Sequence, residues 1–162
     1  MKTAQITFTG IPPKYDRIDK FISRSGQPQK DDFAWLKSQG VTDVINFRRN
    51  KSAKLNFNER ETVNALGMKY HSIPSVSKSP NEENIFKFLN LTEKIKNRGG
   101  RIHIHCMEGV DRTGLYSFIY KEFNNIDSTK NNIVEWIIKG LHLERYPNLI
   151  AWALNFVKKN KM

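Results

Sequence analysis

A single cysteine in 162 residues leaves no partner for an intramolecular disulfide. An isolated thiol is easier to keep reduced in a cytosol than in a secretory compartment. No stretch approaches the roughly 18 apolar residues of a membrane span. The opening MKTAQITFTGIPPKYD also lacks the continuous apolar core of a signal peptide. These absences predict a cytoplasmic protein with no transmembrane segment. Acid is scarce as well: 16 Asp and Glu stand against 27 Lys and Arg, for a net charge of +11. That balance favours an anionic partner, and nucleic acid, a membrane surface and a phosphorylated small molecule fit the field equally well. No repeat, low-complexity tract or Pro/Gly/Ser-rich linker divides the chain, so residues 1–162 are expected to form one domain.

What is present is an alternation of elements. QKDDFAWLKSQ, residues 29–39, carries Phe33 and Leu36 at helical spacing and stops at Gly40. VTDVINF, 41–47, is rich in β-branched residues and reads as a buried strand. A short helix around 58–66 ends before Gly67, and MKYHSI, 68–73, is a further strand. In Ser79-Pro80-Asn81-Glu82 the serine is read as a helix N-cap, with Pro at the first helical position and Glu closing a capping box. The helix that follows has an apolar stripe of Ile85, Phe88, Leu89 and Ile95. RIHIH, 101–105, is a short strand, and helical patterns follow at about 113–124, 129–139 and 147–159, the last opening with Pro147. Strands alternating with helices predict an α/β fold. Its centre is a mostly parallel sheet of about four or five strands, with helices on both faces.

The lone cysteine lies directly after the strand 101–105, in HCMEGVDRTG. Ligands of open α/β sheets bind at the carboxyl ends of strands, where a tight loop entering a helix converges several N–H groups on one point. Such donors stabilise a thiolate, which makes Cys106 a nucleophile at neutral pH. Arg112, six positions on, offers a planar fork for two oxygens of a tetrahedral anion. Gly109 lets the loop curl with positive φ. Thr113 is placed to donate its hydroxyl to the cysteine sulfur.

The pattern H-C-x-x-G-x-x-R-T-G closely resembles the signature loop of the protein tyrosine phosphatase and dual-specificity phosphatase superfamily. FISRSGQPQKDDFAWLKSQGVTDVINFR resembles the opening of compact bacterial and fungal atypical dual-specificity phosphatases, so the likeness covers about residues 20–157. The resemblance implies a protein tyrosine phosphatase-like fold and a metal-independent reaction through a phosphocysteine. Cys106 would be the nucleophile and Arg112 the transition-state clamp, with Met107, Glu108, Gly109, Val110, Thr113 and Gly114 binding the substrate. It also implies a phosphate or sulfate ion in the loop, no cofactor, and a substrate that is a phosphorylated protein or a phosphoinositide. Members usually carry an acidic Asp some thirty residues before the cysteine. Here IPSVSKSPNEE holds no aspartate, and Glu82 is already explained as a cap. Asp111 is therefore favoured as general acid, the alternative being a side chain that points outward or braces the loop. Glu108 and the absence of lysines beside Arg112, where Val110 stands, weigh against a polyphosphorylated substrate.

Among the other residues, His105 is expected to order the loop and His103 to be a satisfied interior side chain. His71 and His142 read as isolated, and no metal set arises at usable spacing. Arg24 and Arg48 are each expected at a strand end near the mouth of the site, Arg24 equally well as a structural residue. Trp35, Trp136 and Trp152 sit on helical apolar stripes and read as core. Three other functions stay open. One is a rhodanese-type sulfurtransferase, opposed by Arg112-Thr113-Gly114. The others are a noncatalytic phosphate-binding module and an RNA 5′-triphosphatase, for which no aromatic-basic interleaving indicates stable nucleic-acid contact.

Overall fold

The computed structural model describes residues 10–50 and 52–161. The first nine residues, on which the leader expectation partly rests, lie outside the described residues. In chain order the elements are β1 (Asp16–Arg17), β2 (Ile22–Ser25), α1 (Asp32–Ser38), β3 (Asp43–Asn46), α2 (Glu59–Ala65), β4 (Lys69–Ser72), α3 (Glu82–Asn97), β5 (Ile102–His105), α4 (Asp111–Phe123), α5 (Thr129–Ile138) and α6 (Leu149–Asn160). The sheet has five strands in the order β1-β2-β5-β3-β4, with β1 antiparallel to β2 and every other pair parallel.

Alternation along the strands separates two cores. Val44 joins Phe33, Leu36, Val63 and Met68 beneath α1 and α2. Ile45 faces the opposite way, into the larger core with Ile85, Phe88, Ile104, Tyr116, Phe118 and Phe156 beneath α3 to α6. β5 splits in the same manner, its isoleucines in the large core and its histidines on the face covered by α1 and α2. Trp136 is buried in the large core, whereas Trp152 is half-buried on the margin of that core and Trp35 on the margin of the smaller one. No helix among the described residues is long and apolar enough to cross a membrane.

Two helix starts differ from the sequence reading. α3 begins at Glu82, and its N-cap is Asn81, whose side chain accepts from the Asn84 N–H at 3.2 Å. Asn81 is extended (φ −122°, ψ 120°), so Pro80 precedes the cap instead of opening the helix. Glu82, free of a capping box, pairs with Lys159 at 3.2 Å. Likewise Pro147 lies before the Asn148 cap of α6.

Candidate active site

β5 occupies the centre of the sheet, and the chain leaves its carboxyl end through residues 106–110 into α4. Gly109 adopts φ 76° and its N–H donates to Cys106 Sγ at 3.2 Å. Beneath it, Arg24 Nη2 donates to the Gly109 carbonyl at 2.8 Å. Arg24 is 3 % exposed, so it supports the loop from below instead of standing at the mouth. The turn after β2 presses on the loop from the other side, the Gln27 N–H donating to the Met107 carbonyl at 2.9 Å. A Cβ on Gly109 would fall 2.5 Å from the Gly26 nitrogen and 2.6 Å from the Ser25 carbonyl carbon. Gly109→Ala is therefore expected to cost about 1–3 kcal/mol in thermal or denaturant unfolding, because backbone must retreat. Gly99→Ala is the control: φ is 79° but no atom lies within 4 Å, so only the smaller strain of the left-handed conformation applies.

The histidines of β5 anchor this base. Ser25 Oγ donates to the Gly26 carbonyl at 2.7 Å, so it accepts from His103 Nε2, also at 2.7 Å. Ser23 Oγ then donates to Nδ1 at 2.7 Å. This is a neutral imidazole with both nitrogens satisfied, and burial, followed by the neighbouring His105, holds it well below the usual imidazole range. His105 Nε2 faces Glu59 Oε2 at 2.7 Å, while Nδ1 lies 3.2 Å from the Cys106 carbonyl oxygen. His105 thus holds the loop backbone and a carboxylate, not the sulfur. Glu59 also accepts from Gln27 Nε2 at 2.7 Å, and Gln27 Oε1 accepts from Arg48 Nη1 at 2.8 Å. Burial pushes the Glu59 carboxyl up, but His105, Gln27 and Arg48 outweigh it and hold the group below its ordinary value. Sequence reasoning missed Glu59 because an acid in the first turn of a short helix reads as surface.

Above this base, Cys106, Met107, Glu108, Asp111 and Arg112 line a cleft of about 310 Å³, closed by Arg49, Ser75, Arg145 and Tyr146. Arg112 makes no hydrogen bond or ion pair with any other described residue. Val110 is buried at the N-cap of α4, and Gly114 is pressed against the indole of Trp136, to which a Cβ would approach within 2.2 Å. Thr113 Oγ1 is buried without a hydrogen-bond partner among the described residues. The bond expected from it to the sulfur is made by the Gly109 N–H instead.

Asp111 has an unforeseen partner. Its Oδ1 accepts from the His142 backbone N–H at 2.9 Å and its Oδ2 from His142 Nδ1 at 2.8 Å. His142 comes from the connection between α5 and α6, so nothing in its local sequence announces the pairing. The other histidine read as isolated, His71, meets Asp43 at 2.7 Å. The fold also gathers ligand-type atoms of Glu108, Asp111 and His142 within 4.8 Å of one another, a trio hidden in the linear spacing. Asp111 already spends both oxygens on His142 within it. The upstream acids stay outside the cleft, Glu82 on Lys159 and Glu83 on Lys87 at 3.5 Å.

Comparison with known proteins places this geometry. Residues 14–138 match the family described as PTP-NADK, a DSP-PTPase phosphatase fused to NAD+ kinase. A beta-lactamase hydrolase-like protein of Agrobacterium fabrum is 30% identical over 103 residues, which are 62% of this chain but only 23% of that relative's length. Among solved structures, a Shewanella putrefaciens DUF442 protein described as a phosphatase superposes with TM-score 0.77 at 23% identity, covering 91% of each chain. P. aeruginosa TpbA in complex with pTyr gives TM-score 0.70 at 18% identity over 86% of this chain and 82% of that one. PTPMT1 in complex with PI(5)P gives 0.70 at 19% identity over 90% and 97%.

Proposed function

We propose, from the premise that this chain belongs to the PTP-NADK family of DSP-PTPase phosphatases, that it is a phosphomonoesterase with Cys106 as nucleophile. The observation that carries the reading is one cleft, at the end of the central strand, lined together by the sulfur, Asp111 and an Arg112 side chain that has no partner among the described residues. The Cys106 thiolate attacks phosphorus in line, forming a P–S bond as the P–O bond to the leaving group breaks. The leaving oxygen takes the electron pair and a proton from Asp111. Water then attacks the phosphocysteine and gives a proton back to Asp111, and the P–S bond breaks to release phosphate and thiolate. Arg112 and the loop N–H groups hold the equatorial oxygens through both steps, and no metal takes part. Hydrolysis of 4-nitrophenyl phosphate in the presence of a chelator, inhibited by vanadate, is the expected result. No turnover of any phosphomonoester would overturn it.

Two features support Asp111 as the acid: it lines the cleft, and the upstream glutamates do not. His142, in the connection between α5 and α6, holds both oxygens of the Asp111 carboxylate. Asp111→Asn should lose about 10²-fold in kcat on a phosphotyrosine peptide and much less on 4-nitrophenyl phosphate, whose leaving group needs no proton. Equal losses on both would instead make Asp111 a brace between α4 and the connection that carries His142.

The substrate class we infer is a phosphotyrosine protein or a phosphoinositide. A fold like this one holds pTyr in TpbA and PI(5)P in PTPMT1. The lone thiol at the centre of the reaction supports a reducing, cytoplasmic location.

A further inference from the structure

The loop opposes a polyphosphorylated substrate, because Glu108 stands at the cleft and no lysine flanks Arg112. The fold supplies cations from a different segment. A second cleft of about 240 Å³ opens beside the first, lined by Arg48, Arg49, Lys54 and Arg112 together with Met107 and Ala53. It shares Arg49, Met107 and Arg112 with the catalytic cleft, so the two meet across the Arg112 side chain. No carboxylate lines it, whereas both acids of the loop, Glu108 and Asp111, line the first.

We propose that this second cleft binds another phosphate group carried on the leaving group of the substrate. The proposal rests on the phosphatase reading above and names a substrate class for it: phosphomonoesters with a second phosphate on the same small scaffold.

The cleft is built, not merely basic. Arg48 is 4 % exposed and donates to the Gln27 side chain at 2.8 Å and to the Ala53 carbonyl at 2.5 Å, which ties the turn after β3 to the base of the site. Lys54 follows in the left-handed conformation, φ 62°, which an L residue adopts at a cost. Arg49 and Lys54 make no hydrogen bond or ion pair with other described residues. Burial disfavours the Arg48 cation, Glu59, itself hydrogen-bonded to His105 and Gln27, favours it, and the neighbouring charge of Arg112 again disfavours it. Like charges held together stabilise an anion placed between them, and guanidinium forks match phosphate oxygens. Glu108 in the first cleft would repel the same group, so polarity across Arg112 sets which way a doubly phosphorylated substrate lies.

The test compares wild type with Lys54→Asn, a residue that tolerates positive φ, on an inositol bisphosphate, the phosphoinositide with the same headgroup in micelles, and 4-nitrophenyl phosphate. The expected result is that kcat/KM on either bisphosphate, divided by that on 4-nitrophenyl phosphate, falls about tenfold in the variant, mainly through KM. Lys54→Arg should restore it. A drop on both bisphosphates assigns the cleft to the shared headgroup. A drop on the lipid alone assigns it to the membrane-presented form. An unchanged ratio on both overturns the proposal. Failure of the phosphatase reading is told apart because 4-nitrophenyl phosphate itself would not turn over. In that event calorimetry with the inositol bisphosphate and the monophosphate decides, and equal affinities, or affinities unmoved by Lys54→Asn, overturn the subsite.

Discussion

Cys106→Ser is expected to abolish turnover, by on the order of 10⁴- to 10⁶-fold in kcat, while leaving anion binding in place. The difference between sulfur and oxygen is one of ionisation. A thiol is a far stronger acid than a hydroxyl, so a serine in its place needs a base, and His105 is turned away toward Glu59 and the Cys106 carbonyl. The binding groups survive the substitution. Arg112 keeps a side chain with no partner among the described residues, and the Gly109 N–H that reaches Sγ at 3.2 Å can donate to a hydroxyl or to a phosphate oxygen. Assay of 4-nitrophenyl phosphate hydrolysis beside calorimetry with inorganic phosphate separates the two effects. Residual turnover within tenfold of wild type would remove Cys106 from the mechanism.

Glu59→Ala should be the most destabilising substitution beneath the site, at about 3–5 kcal/mol, or roughly 10 °C in melting temperature. Its side chain is 2 % exposed and paired with a His105 side chain that is fully buried. Truncation leaves His105 Nε2 and the Gln27 amide without their acceptor, 2.7 Å away in each case. The sign of the pH effect follows from the depressed carboxyl. The unfolded chain takes up the Glu59 proton near the ordinary 4.5, and the folded protein does so only at lower pH. Its stabilisation is therefore complete above about 4.5 and is lost as the pH falls through the folded value. Denaturant unfolding of wild type and Glu59→Gln should show a gap at neutral pH that narrows below 4.5. A gap independent of pH would show that charge has no part in it.

The sequence disclosed whatever depends on neighbours along the chain. VTDVINF and RIHIH formed buried strands because β-branched residues bounded by turns suit the middle of a parallel sheet. The loop of Cys106 and Arg112 could be read because one strand, one turn and one helix start build it within ten residues. Other features depend on the insertion of β5 between β2 and β3, which no local pattern encodes. That insertion puts Arg24 under Gly109, 85 positions away, and Glu59 beside His105, 46 positions away. β1, two residues long, was too short for periodicity to reveal, and β2 was expected only through the placing of Arg24 at a strand end. His142 on Asp111 and the cations of the turn after β3 were hidden for the same reason, being brought to the site by tertiary packing alone. Ser79 failed as a cap because Asn81, two residues on, makes the same bond with an extended backbone that Pro80 precedes.

The contact between Gly26 and Gly109 also makes these two positions a single unit of inheritance. A Cβ on Gly26 would meet the Met107 and Glu108 carbonyl oxygens at 3.1 Å, and one on Gly109 would strike the backbone of residues 25 and 26. Neither position can gain a side chain unless the opposite segment moves. Residues of the two turns should therefore change in step among relatives of this chain. A loop grafted onto another member would keep its shape only if the turn after β2 travelled with it.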